Sequence, residues 1–282
     1  MNDESTGSES LIQAGGISQP SLADAARGAD AARGAHAARG APFAPRAALV
    51  TGASRGLGAA LARELARRGA KVVLVARERA PLEAVAAEIA AQGGVAHALA
   101  ADIGDKGQTH AIAGAAAALV GPIDLLVHNA STLGRTPLPI LLDTECEDLG
   151  RVLEVNVVGP FRLTKVIAGA MALRRRGVVV HISSDAAVNA YPRWGAYGAS
   201  KAALDHLSRT WAAELEGTGV AFYAVDPGEM NTRMHAEAIP DADPSALADP
   251  ADVARRIVAL IGRAGEVPSG ARVEAASFEE AP

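Results

Sequence analysis

Residues Ala47 to Gly58 read AALVTGASRGLG. An apolar, β-branched run ending at Thr51 passes without a break into a glycine-rich turn, and an Ala/Leu pattern of helical period follows from Leu57. Strand, turn and helix in that order open a βαβ unit. Gly52 permits a tight bend, Gly56 lets the backbone approach a pyrophosphate, and Gly58 allows the helix to pack close to the strand. The helix start presents unpaired N–H groups to the anion. The spacing is TGxxxGxG rather than GxGxxG, so the strand–turn–helix context carries the reading.

Outward from this turn the alternation repeats. Candidate strands are Ala47–Thr51, Lys71–Val75, Val95–Ala100, Asp124–His128, Val178–Ser183, Val220–Val225 and a last one near Arg272–Ala275. Candidate helices are Leu57–Arg68, Pro81–Gln92, Lys106–Leu119, Cys146–Arg174, Ala196–Glu216 and Pro250–Arg263. About seven strands with helices on both faces predict an α/β, doubly wound parallel sheet of Rossmann type, with ligands at the carboxyl ends of the strands near the switch in strand order. An NAD site places an acid after the second strand to hold the ribose 2′-hydroxyl. Here that place is Ala76 followed by Arg77, and Arg77 with Arg55 suits a 2′-phosphate, so NADP(H) is the expected cofactor.

At the other end of the fold, His181-Ile182-Ser183-Ser184 closes the fifth strand, and Tyr197-Gly198-Ala199-Ser200-Lys201 opens an Ala-rich helical pattern. Tyr197 and Lys201 are i and i+4, which stacks them on one helical face. A nearby ammonium is expected to lower the phenol toward neutrality, fitting Tyr197 for general acid/base work.

In these features together the chain resembles the short-chain dehydrogenase/reductase family, in its compact single-domain branch, over about Ala47 to Ala275. The resemblance implies that Gly52, Ser54, Arg55, Gly56, Leu57 and Gly58 form the cofactor turn and that Asp102 and Ile103 contact the adenine. Asn129 and Ala130 match the segment after the fourth strand. Ser184, Tyr197 and Lys201 match the catalytic residues, and Asn156 resembles the helix asparagine of a water-linked proton path. Pro227, Gly228, Met230 and Thr232 look like the segment that cradles the nicotinamide. The implied activity is hydride transfer interconverting an alcohol and a ketone or aldehyde: Tyr197 exchanges the proton, Ser184 bonds the reacting oxygen, and Lys201 holds the ribose and depresses Tyr197. The family's Asn-Asn-Ala-Gly is here His128-Asn129-Ala130-Ser131, a departure that bears on cofactor packing at Ser131. His128 and His181 read as packing residues. The substrate is expected between Glu229–Asp249, taken as a mobile lid, Arg135–Leu142 and Val188–Trp194, with Tyr191 and Trp194 as apolar contacts.

The remainder bounds the function. The 282 residues are 49% hydrophobic, enough for a full core, and no apolar run approaches the ~20 residues a membrane span needs. A net charge of −5 with scattered basic residues excludes a nucleic-acid surface. No His/Cys/Asp cluster has metal-site spacing. Cys146 is the sole cysteine, and the acidic run Asp143, Glu145, Glu147, Asp148 reads as a solvated helix start. Ala-Ala-Arg-Gly-Ala recurs at Ala25, Ala31 and Ala37, so residues 1–45 are expected to be a disordered tail and 46–282 the catalytic domain. The acidic, polar first ten residues predict a cytoplasmic protein. The partners are a small-molecule substrate and further copies of the chain: the resemblance implies a homo-oligomer, dimer or tetramer, although little chain after Val273 remains to pack across a boundary. The alternative is a non-catalytic NADP(H)-binding sensor or scaffold, which has no need of an acid/base pair; an epimerase or dehydratase of the extended branch needs more chain after Gly228.

Overall fold

In the computed structural model, which describes residues 42–278, the alternation becomes one seven-stranded sheet, every pairing parallel, in the order β3-β2-β1-β4-β5-β6-β7. The strands are β1 (Ala47–Thr51), β2 (Lys71–Ala76), β3 (Val95–Ala100), β4 (Leu125–His128), β5 (Gly177–Ile182), β6 (Val220–Asp226) and β7 (Arg272–Glu274). The order reverses between β1 and β4, and a cleft opens there at the strands' carboxyl ends.

The helices are α1 (Gly56–Arg67), α2 (Arg79–Ala91), α3 (Thr109–Val120), α4 (Cys146–Leu153), α5 (Gly159–Leu173), α6 (Gly195–Glu214), α7 (Arg233–Ala238) and α8 (Pro250–Gly262). Strands buried on both faces divide their side chains between two cores. Val50, Leu74, Val127, Val180 and Val225 face α1, α2 and α8, whereas Leu49, Val73, Leu126, Val179 and Phe222 face α3, α5 and α6.

Two expectations need correction. The single helix over Cys146–Arg174 is two helices joined by a π-helical stretch, Glu154–Val158, that carries the buried Asn156; such bulges gather at functional sites because they turn a side chain out of helical register. The helix at Lys106 begins as a 3₁₀ turn, Lys106–Gln108, because the Asp105 carboxylate accepts from Gly107 N at 2.8 Å. Just ahead of β1, Phe43 N donates to Gly262 O at 2.9 Å and the Arg176 guanidinium lies 4.7 Å over the Phe43 ring. The Ala-Ala-Arg-Gly-Ala repeats lie outside the described residues.

Leu126, fully buried at the sheet centre, sets a stability test. Leu126→Ala should cost about 3 kcal/mol, the usual cost of a large core truncation, and lower Tm by roughly 6–12 °C. Leu142→Ala, at a side chain 93% exposed, should change it by no more than ~0.5 kcal/mol. Urea titration of both variants checks the pair.

Candidate active site

At the nucleotide end the turn has the conformation its glycines foretell. Gly52 and Gly56 have φ of +66° and +51°, the left-handed region. A Cβ on Gly58 would lie 2.2 Å from Gly52 O and 2.5 Å from Asn129 Nδ2, so only glycine lets α1 approach the turn. Arg55, the N-cap of α1, offers no side-chain cap, and the first-turn N–H groups remain available to an anion. Arg77 is exposed on the cleft wall and makes no ion pair among the described residues, while Arg55 meets Glu78 at 3.3 Å. Ser54, Leu57, Asp102, Ile103, Ala130, Pro227, Met230 and Thr232 complete one cleft of about 610 Å³ that also reaches Tyr197 and Lys201. Uncapped amides, glycine turn and free guanidinium fit a dinucleotide.

Asn129, expected at the cofactor, is committed to the protein. Its Nδ2 donates to Thr51 O at 3.0 Å and Gly52 O at 3.1 Å, while Thr51 Oγ1 accepts from the N–H groups of Asn129 and Ala130. The Asp102 carboxylate accepts from Gly104 N at 2.9 Å and meets Arg151 at 3.4 Å.

At the chemistry end, α6 places Tyr197 and Lys201 on its buried face. Lys201 Nζ donates to Ile182 O at 2.7 Å and lies 5.4 Å from the Tyr197 ring centroid. Burial pushes the lysine down to about 8. Burial also pushes the phenol up to about 12, with Asp226 and Asp185 adding to the rise and Ser184 and Ser131 opposing it. The expected depression of Tyr197 is therefore absent: loss of water around the phenol outweighs the hydroxyl groups beside it. Ser184 Oγ donates to Asp185 Oδ1 at 3.0 Å and accepts from Ala186 N at 3.2 Å.

Asn156 is buried behind the cleft rather than on it. Its Oδ1 accepts from Thr132 N at 2.8 Å, and its Nδ2 donates to Thr132 O and Ser200 Oγ, both at 2.9 Å. The amide thus joins the loop after β4 to the first turns of α6. His128 and His181 stack 5.1 Å apart, and burial holds both below the usual histidine range, His181 at about 3. Both are neutral; His128 Nε2 meets Thr164 Oγ1 at 2.8 Å.

Arg272, Asp226, Asp185 and Glu78 escaped the sequence reading. Arg272 of β7 reaches three segments at once: its Nη2 donates to Ser184 O at 3.0 Å and Asp226 Oδ2 at 2.8 Å, and its Nε to Asp205 Oδ2 at 3.1 Å. Asp226 Oδ1 in turn accepts from Gly228 N at 3.0 Å. Ser131, which the sequence marks as standing where the family pattern has glycine, lines the cleft with its Oγ buried beside the Tyr197 phenol. Asp185 and Glu78 had no signal beyond adjacency to Ser184 and Arg77. The segment Glu229–Asp249 is pinned at its base, with Asn231 N donating to Ala248 O and Ala248 N to Glu229 O, and it carries α7. Trp194 packs edge-on against Tyr197 at 5.6 Å, while Tyr191 turns its hydroxyl to Asp185 Oδ2 at 2.8 Å. Among the described residues no helix is long and apolar enough to cross a membrane, and no cluster of three metal-binding side chains occurs.

The comparisons agree on one family. The model of the short chain dehydrogenases matches residues 46–243. A short chain dehydrogenase of Pseudocercospora fijiensis is 40% identical over 194 residues, 68% of this chain, which spans 62% of that relative's length. A 3-oxoacyl-[acyl-carrier-protein] reductase of a Synechocystis strain is 37% identical over 66% of this chain and 75% of its own. A metagenomic short-chain oxidoreductase solved in complex with NADP superposes with a TM-score of 0.69 at 33% identity, covering 81% of this chain and 97% of that one.

The buried lysine gives a pH test. Its value of about 8 lies below the ordinary 10.5. Between those values the unfolded chain holds a proton that the folded chain has released, so the lysine's contribution to stability grows as pH rises through that window. Urea unfolding of wild type and Lys201→Met should show the wild-type advantage larger at pH 9.5 than at pH 7.5. A pH-independent difference would refute this.

Proposed function

The chain belongs to the short-chain dehydrogenase/reductase family, and on that premise we propose that it is an NADP(H)-dependent oxidoreductase interconverting an alcohol and a ketone or aldehyde, with Tyr197 as the proton-transferring residue. The observation that carries this reading is a single cleft joining the uncapped start of α1, the exposed Arg77 guanidinium and the buried Tyr197–Lys201 face of α6. A protein that only binds nucleotide has no use for a dry phenol and ammonium at the far end of its site.

The bound cofactor supplies or accepts the hydride, chemistry that belongs to its own ring. The chain's residues govern the proton. A phenol held at about 12 keeps its proton at neutral pH, which suits donation to a carbonyl oxygen as negative charge develops on it. That protonated form is the one from which carbonyl reduction starts. Ser184 donates to the same oxygen once its hydroxyl turns from Asp185, and that charge-assisted bond strengthens as the alkoxide forms. Lys201, fixed by Ile182 O, holds the ribose hydroxyls beside Tyr197. Asn156, with its amide committed to Thr132 and Ser200, acts by positioning the wall of the site.

Preference for NADP(H) rests on Arg77, the absence of an acid at Ala76, and Arg55, whose ion-pair partner Glu78 is itself exposed. Glu78 is the local opposition, because it competes with a 2′-phosphate for Arg55.

Binding and turnover test the two halves separately. Tyr197→Phe should abolish NADPH-dependent reduction of ketones while leaving NADPH binding intact. Arg77→Ala should weaken NADPH binding by about 10- to 100-fold, the scale of a hydrogen bond to a charged group, and leave NADH binding unchanged. Equal losses for both cofactors would remove Arg77 from the 2′-phosphate site.

A further inference from the structure

Apart from the two cores against the sheet faces, a third apolar cluster surrounds the Tyr197 phenol: Leu133, Leu138 and Ala186, with Trp194, Met234 and Ala238 packed against them. Beside it opens a second cavity of about 440 Å³, walled by Pro137, Leu138, Pro192, Trp194, Ala238 and Pro240. This cavity shares Thr136 and Glu237 with the cofactor cleft, so it continues the same site. The charged residues in its wall have partners of their own: Arg193 Nη1 donates to Leu138 O at 3.2 Å, and Glu237 pairs with Arg233 at 2.6 Å. Among the described residues ten large apolar side chains are exposed, and six of them, Ile140, Leu141, Leu142, Val188, Tyr191 and Ile239, sit on the three segments that meet at this cavity. Leu141 lies against the first residue of α6, where a Cβ on Gly195 would come within 2.3 Å of Leu141 Cδ2.

We propose that the substrate is a carbonyl compound with a bulky apolar tail: its oxygen meets Tyr197 and Ser184, and its tail fills the second cavity behind the apolar rim. The proposal rests on the redox reading above. The cavity lies within the size range of small-molecule sites, and each methylene moved from water into it contributes about 0.8 kcal/mol, roughly fourfold in affinity.

The test is steady-state NADPH oxidation with 2-ketones from butan-2-one to decan-2-one, together with quenching of tryptophan fluorescence by decan-2-one. The kcat/KM should climb by up to about fourfold per methylene until the cavity is full, and Ala238→Phe should flatten the climb, read as the ratio of decan-2-one to butan-2-one. Decan-2-one should quench wild type but not Trp194→Phe, since Trp211 packs away from the site on Phe161 and Phe222. A flat series in an active enzyme, faster turnover of ketones carrying a terminal carboxylate, or no quenching at Trp194 overturns the proposal. Trp194-specific quenching without turnover of any ketone upholds the cavity and overturns the redox reading instead.

Independently, we infer that Arg272 is a positioning residue. One guanidinium, 20% exposed, bonds the Ser184 carbonyl, Asp226 and Asp205, and Asp226 fixes Gly228, so the serine, the segment after β6 and α6 share one tie. A planar fork makes these contacts together and an ammonium cannot. Arg272→Met should lower kcat at least tenfold and raise the KM for NADPH in folded protein, and Arg272→Lys should recover part of both. Unchanged kcat and KM in folded Arg272→Lys, or a change in Tm alone, overturns the role; Arg272→Lys carries the test if Arg272→Met does not fold.

Discussion

The structure depends on a bracket between the ends of β1 and β4. Four hydrogen bonds join Thr51 and Gly52 to Asn129 and Ala130 across the point where the strand order reverses, and these hold the glycine turn at a fixed distance from the strand beside it. The helix that follows can start close to this bracket only because Gly58 has no side chain to meet it. The phosphate end of the cleft is thus set by backbone packing. Its aim toward Tyr197 follows from the parallel register of β4 and β5, which places His128 beside His181 and ends both strands at one level.

Beyond that bracket the site is defined by dryness. Tyr197 is pushed toward its neutral form and Lys201 part of the way, and the stacked histidines beneath them are neutral as well. Removing water from a charge costs more than the surrounding dipoles return unless a partner is close. The carboxylates nearby are answered by the Arg272 guanidinium, by the Ser184 and Tyr191 hydroxyls and by backbone amides. Such an interior suits the proposed reaction, in which charge appears only briefly on the substrate oxygen.

Much of this was legible in the sequence. The short apolar, β-branched runs between glycine turns marked each strand to within one or two residues, because parallel strands buried on both faces are written almost entirely in Val, Leu, Ile and Ala. Tyr197 and Lys201 were legible for the same kind of reason, since i and i+4 on a helix fixes a face whatever surrounds it. What escaped depends on distance in the chain. Arg272 meets Ser184 across 88 positions and Asp205 across 67, and no local pattern marks it. The π-helical stretch escaped because Asn156 departs from helical register to meet Thr132 and Ser200, neither of which is its sequence neighbour. The protonation of Tyr197 was misjudged because i+4 spacing puts an ammonium near a ring but says nothing of how much water the fold leaves there.

The last strand has a consequence for the order in which this molecule comes to life. β7 is three residues long and pairs only with β6, at the edge of a sheet whose other strands all precede it. A chain emerging from the ribosome displays Ser184 and Tyr197 long before Arg272 is made. The strands through β6 are made while the serine's carbonyl and the segment after Asp226 are still untied. The tie that joins them to α6 is therefore the last part of the site to be synthesised, and the short edge strand carries it.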